Sequence, residues 1–125
     1  MTKIVIICGD KAFDAELNHS ATASAIAENL PIEGWANVWG EEIYFEIPLS
    51  MPAEVGAREI MEVGELAYWP VGRAFCIFFG PTPVSSDERP RAYSPVNVVG
   101  RLTGDITGLK SVRNGDPVKI EVGAD

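Results

Sequence analysis

Residues 74–79 read Ala-Phe-Cys-Ile-Phe-Phe and are apolar at every position. A strand with one face in water alternates apolar and polar residues, because successive side chains point to opposite faces of the sheet. This uninterrupted apolar run therefore predicts a strand that is covered on both faces, as in a barrel wall with a helix packed outside it. The turn-forming sequence Gly80-Pro81-Thr82-Pro83 ends the strand abruptly.

The strands predicted on both sides of this run are short. Residues 13–17 and 43–47 alternate apolar and polar side chains, and residues 4–8 form a β-branched run that ends at a Gly-Asp turn. The polar residues 85–94 predict a surface loop. Further strands are predicted over residues 35–39, 58–63, 66–69, 96–102 and 118–122.

One helix is predicted near the N-terminus, over residues 22–30. Ser20 or Thr22 can cap its start, its apolar residues recur at spacings of three and four, and Pro31 ends it. A second, short helix fits residues 105–112. One helix with seven to nine short strands predicts a mainly β protein, a small β-barrel that forms a single domain over residues 1–125.

The net charge of the chain argues against two classes of binding partner, nucleic acids and anionic membranes. It has 125 residues with 18 acidic and 10 basic side chains, and its formal net charge is −8. Proteins that bind nucleic acid or an anionic membrane present basic surfaces, but the densest basic stretch here, Arg89 and Arg91, lies beside Asp87 and Glu88. We therefore expect neither partner. The apolar run at residues 4–8 is too short for a signal peptide, so we expect a cytoplasmic protein.

The residue types that usually hold metals or act as nucleophiles are sparse. Cys8 and Cys76 both lie in apolar runs, which predicts buried free thiols, and His19 is the single histidine. No cysteine or histidine pair has the spacing of metal ligands, and no phosphate-binding glycine loop is present. We predict no metal site and no cofactor.

Three glutamates surround Tyr44. Glu41 and Glu42 are adjacent and so point to opposite faces of a strand, whereas Glu42 and Glu46 share a face with Tyr44. This pattern favours a solvated hairpin with a charged outer face. A carboxylate-dependent enzyme, with Glu41 or Glu46 as general base, is the alternative.

Three longer strings resemble a known family. They are residues 64–70 (Gly-Glu-Leu-Ala-Tyr-Trp-Pro), residues 78–83 (Phe-Phe-Gly-Pro-Thr-Pro) and residues 94–101 (Ser-Pro-Val-Asn-Val-Val-Gly-Arg). They resemble the cyclophilin-like family of small uncharacterised prokaryotic proteins, and the order of elements is similar to that of the cyclophilins. The resemblance implies a closed eight-stranded β-barrel with a helix over one opening. It implies little about function, because one fold hosts many activities.

The resemblance to cyclophilins also implies where residues of a prolyl isomerase would fall. The strand that carries the arginine of that site matches residues 35–39, which contain no arginine. The glutamine falls on Ala74, the phenylalanine of the proline pocket on Cys76 and the histidine on Asn97. Arg73 is the only arginine near the matching strands, at a different position. The usual catalytic set is therefore missing.

These observations favour a binding module over an enzyme. We predict an aromatic-lined groove that takes a small molecule or an extended, proline-containing peptide. Its predicted residues are Trp39, Tyr44, Tyr68, Phe75 and Asn97, where the rings supply apolar contact and the amide supplies directed hydrogen bonds. A peptidyl-prolyl isomerase with a rewired, weak active site is an alternative. Aromatic rings and edge strands would also suit the face of a homodimer.

Overall fold

A computed structural model describes residues 2–124 of the chain, and its described part is mainly β with one α-helix, as predicted. The elements in chain order are β1 (Thr2–Cys8), β2 (Lys11–Leu17), α1 (Ala21–Glu28), β3 (Ile32–Trp35), β4 (Asn37–Val38), β5 (Glu42–Glu46), β6 (Arg58–Ile60), β7 (Glu65–Trp69), β8 (Ala74–Phe78), β9 (Arg91–Leu102), a 3-10 helix (Thr107–Ser111) and β10 (Pro117–Val122).

The two helical elements form close to their predicted positions. Ser20 caps α1, because its Oγ accepts a hydrogen bond from the N–H of Ala23 at 3.1 Å. The helix ends at Glu28, and Pro31 follows with a cis peptide bond before it. The short helix predicted near the C-terminus is the 3-10 helix. In the described part of the chain, no helix is both long and apolar enough to cross a membrane.

The strands form one antiparallel sheet in the order β3-β10-β1-β2-β9-β7-β8-β5-β4, and β6 pairs with the first half of β9. The strand predicted over residues 35–39 is divided, because both backbone groups of Ala36 bond to the segment before β10 (N–H to Asp116 O and C=O to Gly115 N–H, each 2.8 Å). The chain changes partner there, from β10 to β5. Within residues 2–124 the end strands do not pair with each other, so the sheet is open and ten-stranded. The predicted closed eight-stranded barrel is not confirmed.

The main core lies on the inner face of the sheet, beneath α1. It contains inward residues from β1, β2, β5, β7, β8 and β10, together with Ala23 and Ile26 of the helix. The rings of Phe45 and Phe75 are 5.7 Å apart at its centre. Gly34 lies so close to Phe45 that a Cβ at this glycine would come within 2.7 Å of the ring. The absence of a side chain at Gly34 therefore lets β3 approach β5.

A second apolar cluster explains why residues 74–79 are apolar throughout. Phe75 and Ile77 belong to the main core, whereas Cys76 and Phe78 belong to the second cluster on the other face. This face is covered by β6 and the first half of β9, a pair of strands that we call the outer ribbon. The strand is covered on both faces as predicted, but its outer cover is this ribbon and not a helix.

Candidate functional site

A cavity of about 200 Å³, the outer cavity, opens beside the outer ribbon. Its lining comes from β5, β8, the end of β7, the turn before β5 and the first half of β9. The apolar floor belongs to the second cluster. The aromatic residues that line it are Trp39, Tyr44, Trp69 and Tyr93.

The four rings follow one another around the outer cavity. The centroid distances are 6.2 Å from Trp39 to Tyr93, 6.1 Å from Tyr93 to Trp69 and 6.4 Å from Trp69 to Tyr44. Neighbouring rings stand at 71°, 77° and 82°, close to the edge-to-face geometry that aromatic pairs prefer. The indole Nε1 of Trp69 donates to the Ser94 hydroxyl at 2.6 Å, which fixes that ring.

Glu42 is the charged residue among those that line the outer cavity. Alternation along β5 puts it on the same face as Tyr44, and the pairing of β5 with β8 sets Phe78 opposite Glu42 and Cys76 opposite Tyr44, so that Cys76 is a diagonal neighbour of Glu42. Its side chain is buried, with the residue 5% exposed, and its Oε1 has no hydrogen-bond partner within residues 2–124. Burial raises the pKa of Glu42 from 4.5 to about 7, and the Cys76 thiol lowers it in part. The carboxyl therefore titrates near neutral pH.

The outer cavity has the composition of a small-molecule site, with largely aromatic and apolar walls and one carboxyl group. The Cys76 thiol also lines it, but burial and then the charge of Glu42 raise the pKa of this thiol well above its usual 9.0. The thiol stays protonated at neutral pH and is not an activated nucleophile. Over residues 2–124, the acidic, cysteine and histidine side chains form no group of three or more that could hold a metal ion.

The structure does not bring the five predicted ligand residues into one site. Trp39 and Tyr44 line the outer cavity. Tyr68 and Phe75 are fully buried in the main core, on the opposite face of the sheet, and Asn97 is also buried. A role for Tyr68, Phe75 or Asn97 in ligand binding stays a prediction that their burial does not favour.

Asn97 instead fastens the loop of residues 48–57 to the body of the protein. Its Oδ1 accepts from the N–H of Glu54 at 2.8 Å, and its Nδ2 donates to Pro52 O and to Thr22 Oγ1, both at 3.0 Å. Thr22, at the start of α1, donates its hydroxyl to the Glu54 carboxylate. The amide thus joins β9, the loop and the helix through three hydrogen bonds.

Tyr68 holds the same loop from its other end. Its hydroxyl donates to Leu49 O at 2.6 Å and accepts from the N–H of Met51 at 3.2 Å. Tyr68 and Asn97 were predicted to bind a ligand. Their polar groups instead form hydrogen bonds with the backbone of the loop of residues 48–57.

We expect Asn97→Ala to lower the free energy of unfolding by about 2–3 kcal/mol, because it removes the side-chain partner of the Glu54 N–H, of Pro52 O and of the buried Thr22 hydroxyl. The amide of Glu54 should also exchange with solvent much faster. Asn37→Ala is the matched control, since Asn37 is exposed and makes one side-chain bond, to Tyr44 O at 3.2 Å. Urea unfolding and amide exchange measure both effects. Equal losses in the two variants would contradict the fastening role of Asn97.

The predicted ligand residues did not include Glu42, Trp69 or Tyr93, which also line the outer cavity. Glu42 was assigned to a solvated face, but the outer ribbon covers that face; Tyr93 was assigned to a loop, but β9 begins at Arg91. The carboxylates named as general-base candidates lie elsewhere: Glu41 packs against Gly80, and Glu46 is exposed and pairs with Arg73 at 3.5 Å. One feature of the sequence could have identified Glu42. It shares a face of its strand with Tyr44, and the apolar run at residues 74–79, which forms the neighbouring strand, indicates that this face is covered.

Comparison with known proteins agrees with this architecture. The family model described as "Cyclophilin-like" matches residues 2–121. The solution structure of a hypothetical protein from Archaeoglobus fulgidus is similar to this chain, with a TM-score of 0.83 and 38% sequence identity over 98% of this chain and 95% of that one. No curated protein matches the chain. This chain therefore belongs to the cyclophilin-like family, as its sequence strings indicated.

Proposed function

We propose that the protein binds a small molecule in the outer cavity. The observation that carries this proposal is the ring of four aromatic side chains around a cavity of about 200 Å³ with a buried carboxyl inside it. Aromatic walls contribute apolar contact, and a single polar group fixes orientation. A cavity of this size suits a compact group better than an extended peptide, so the proposal favours the small molecule over the peptide.

The proposal keeps two of the predicted ligand residues and replaces the others. Trp39 and Tyr44 remain, and Trp69, Tyr93 and Glu42 join them. A prolyl isomerase that used the predicted groove would first have to displace the loop of residues 48–57, because that loop occupies the polar groups of Tyr68 and Asn97. For this reason binding, and not isomerisation, is the function that we propose.

Carboxylate chemistry at this site would have to use Glu42. It lines the outer cavity, whereas Glu41 and Glu46 do not. A carboxyl that titrates near neutral pH is suited to proton transfer, but the residues of the described chain that line the cavity include no second carboxylate, histidine or lysine to complete an acid–base pair with it. Cytoplasmic location stays part of the proposal, supported by the two buried free thiols, Cys8 and Cys76.

The three tryptophans allow a direct test by NMR. Compounds from a fragment library should shift the indole N–H signals of Trp39 and Trp69, whereas Trp35, which is 68% exposed on β3, should not respond. We expect Trp39→Ala to weaken binding of these compounds about 10-fold, the effect of losing a ring contact worth roughly 1.4 kcal/mol. Trp35→Ala is the matched control and should leave affinity unchanged. Compounds that bind the protein without moving the Trp39 and Trp69 signals would contradict the proposed site.

A further inference from the structure

One carboxylate oxygen of Glu42 lacks a hydrogen-bond donor, which a ligand could supply. Its Oε1 is buried without a hydrogen-bond partner among residues 2–124, and an acceptor in this state costs free energy until a donor reaches it. Glu42 lines the outer cavity, so a molecule bound there lies next to its side chain. The structure thus contains an unsatisfied acceptor at the base of an open, aromatic site.

Within residues 2–124, the elements packed around this carboxyl present no cation to it. The titratable groups that line the cavity with Glu42 are Tyr44 on β5, Cys76 on β8 and Tyr93 on β9, and none of these side chains contains a basic nitrogen. Glu41, in the adjoining turn, packs against Gly80. The arginines of the outer ribbon are engaged elsewhere, as Arg58 pairs with Glu65 at 2.6 Å and Arg91 with Glu59 at 3.1 Å.

The aromatic walls favour a positive charge in the same space. The electron-rich faces of tryptophan and tyrosine attract cations within about 6 Å, and aromatic cages of this kind recognise alkylated ammonium groups. Here four such rings surround one carboxyl. Both parts of the site, the rings and the carboxyl, select a cation with apolar substituents.

The unpartnered oxygen further selects the kind of cation. A quaternary ammonium has no N–H and would leave Oε1 of Glu42 without a donor, whereas a protonated amine donates to it. We propose that the outer cavity binds a protonated alkylamine, whose N–H donates to Oε1 of Glu42 while its alkyl groups contact the rings of Trp39, Tyr44, Trp69 and Tyr93. This inference rests on the proposed function, because it assigns a ligand class to the same cavity.

The experiment compares three probes of similar shape: trimethylammonium, tetramethylammonium and tert-butanol. Trimethylammonium carries a positive charge and an N–H, tetramethylammonium carries a positive charge without an N–H, and tert-butanol is uncharged. Binding to the whole protein is followed through the indole N–H signals of Trp39 and Trp69, with Trp35 as internal reference. We expect trimethylammonium to bind at least about 10-fold more tightly than either other probe, the effect of one charge-assisted hydrogen bond.

Two variants separate the carboxyl from general charge effects. Glu42→Gln keeps the size of the side chain and should weaken trimethylammonium binding about 10- to 100-fold. Glu46→Gln makes the same change of charge on the same strand, at an exposed position outside the cavity, and should have no effect. Because trimethylammonium favours ionised Glu42, its affinity should rise with pH and level off above about 7.

The outcomes distinguish this inference from the proposed function. If tetramethylammonium or tert-butanol binds as tightly as trimethylammonium, or if Glu42→Gln binds like the parent, the amine assignment is overturned while the cavity remains a binding site. The same holds if library compounds move the Trp39 and Trp69 signals but none of the three probes does. If neither the probes nor the library moves them, both proposals fall.

Discussion

Glu42→Gln should make the protein more stable above pH 7, by up to about 3 kcal/mol. The carboxyl has a pKa of about 7 in the folded protein, against 4.5 in a solvated chain, because burial disfavours its charged form. Between these values the folded state holds a proton that the unfolded state has released. The free energy of unfolding therefore falls as pH rises from 4.5 to 7, and the loss is complete above 7.

The substituted protein should lack this pH-dependent loss. A glutamine does not ionise, so well below pH 4.5, where most of the Glu42 carboxyl is protonated in both states, variant and parent should have similar free energies of unfolding. Urea unfolding well below pH 4.5 and above pH 7 measures the difference. Glu46→Gln is the control, since it is exposed and should not reproduce the effect. A Glu42→Gln protein that is less stable than the parent above pH 7 would contradict the account of Glu42 as a buried, unsatisfied carboxyl.

A buried carboxylate that lowers the free energy of unfolding at neutral pH is unexpected unless it contributes to function. Buried charges are normally paired, and Glu42 Oε1 has no partner within the described chain. Proteins tolerate such costs at functional sites, where a ligand supplies the missing interaction. The stability experiment and the amine-binding experiment thus examine the same side chain by independent measurements.

Gly100→Ala should destabilise the protein by about 3 kcal/mol or more. Gly100 lies in β9, where it pairs with Leu17 of β2 on one side and with Leu66 of β7 on the other. A Cβ at this position would come within 2.1 Å of Glu16 O and 3.0 Å of the Leu17 Cα. Both are backbone atoms, so they can retreat only if β2 moves away from β9. The substitution therefore strains the pairing between these strands.

Gly56→Ala is the matched control for this substitution. Gly56 lies in the loop of residues 48–57, and a Cβ there would have no atom within 4 Å. We expect its free energy of unfolding to change by about 0.5 kcal/mol or less. Thermal and urea unfolding of both variants measure the contrast. If Gly100→Ala were as stable as Gly56→Ala, β2 and β9 would not approach each other as closely as the structure has them.

Two of the four aromatic residues of the candidate site were predicted from the sequence, and its buried carboxyl was not. Trp39 was predicted because it lies at a strand end before Gly40, and Tyr44 because it lies on the strand that matches the cyclophilin groove. Asn97 was predicted as a ligand residue, but its amide bonds with Glu54 and Pro52, residues more than 40 positions away. The hydrogen-bond partners of a buried polar side chain can come from a loop that is distant in sequence. Local sequence patterns do not predict where such a loop packs.

The sequence by itself determined the local structure and the family. Strand periodicity, the cap and proline stop of the helix, and the apolar run at residues 74–79 all act between near neighbours in the chain, and they predicted a mainly β protein with one helix. Alternation also divided the side chains between two faces of each strand. Only the tertiary structure decided what covers each face. The outer ribbon buries Glu42 without giving its Oε1 a partner, and the loop of residues 48–57 occupies Tyr68 and Asn97, because both covers come from segments remote in sequence.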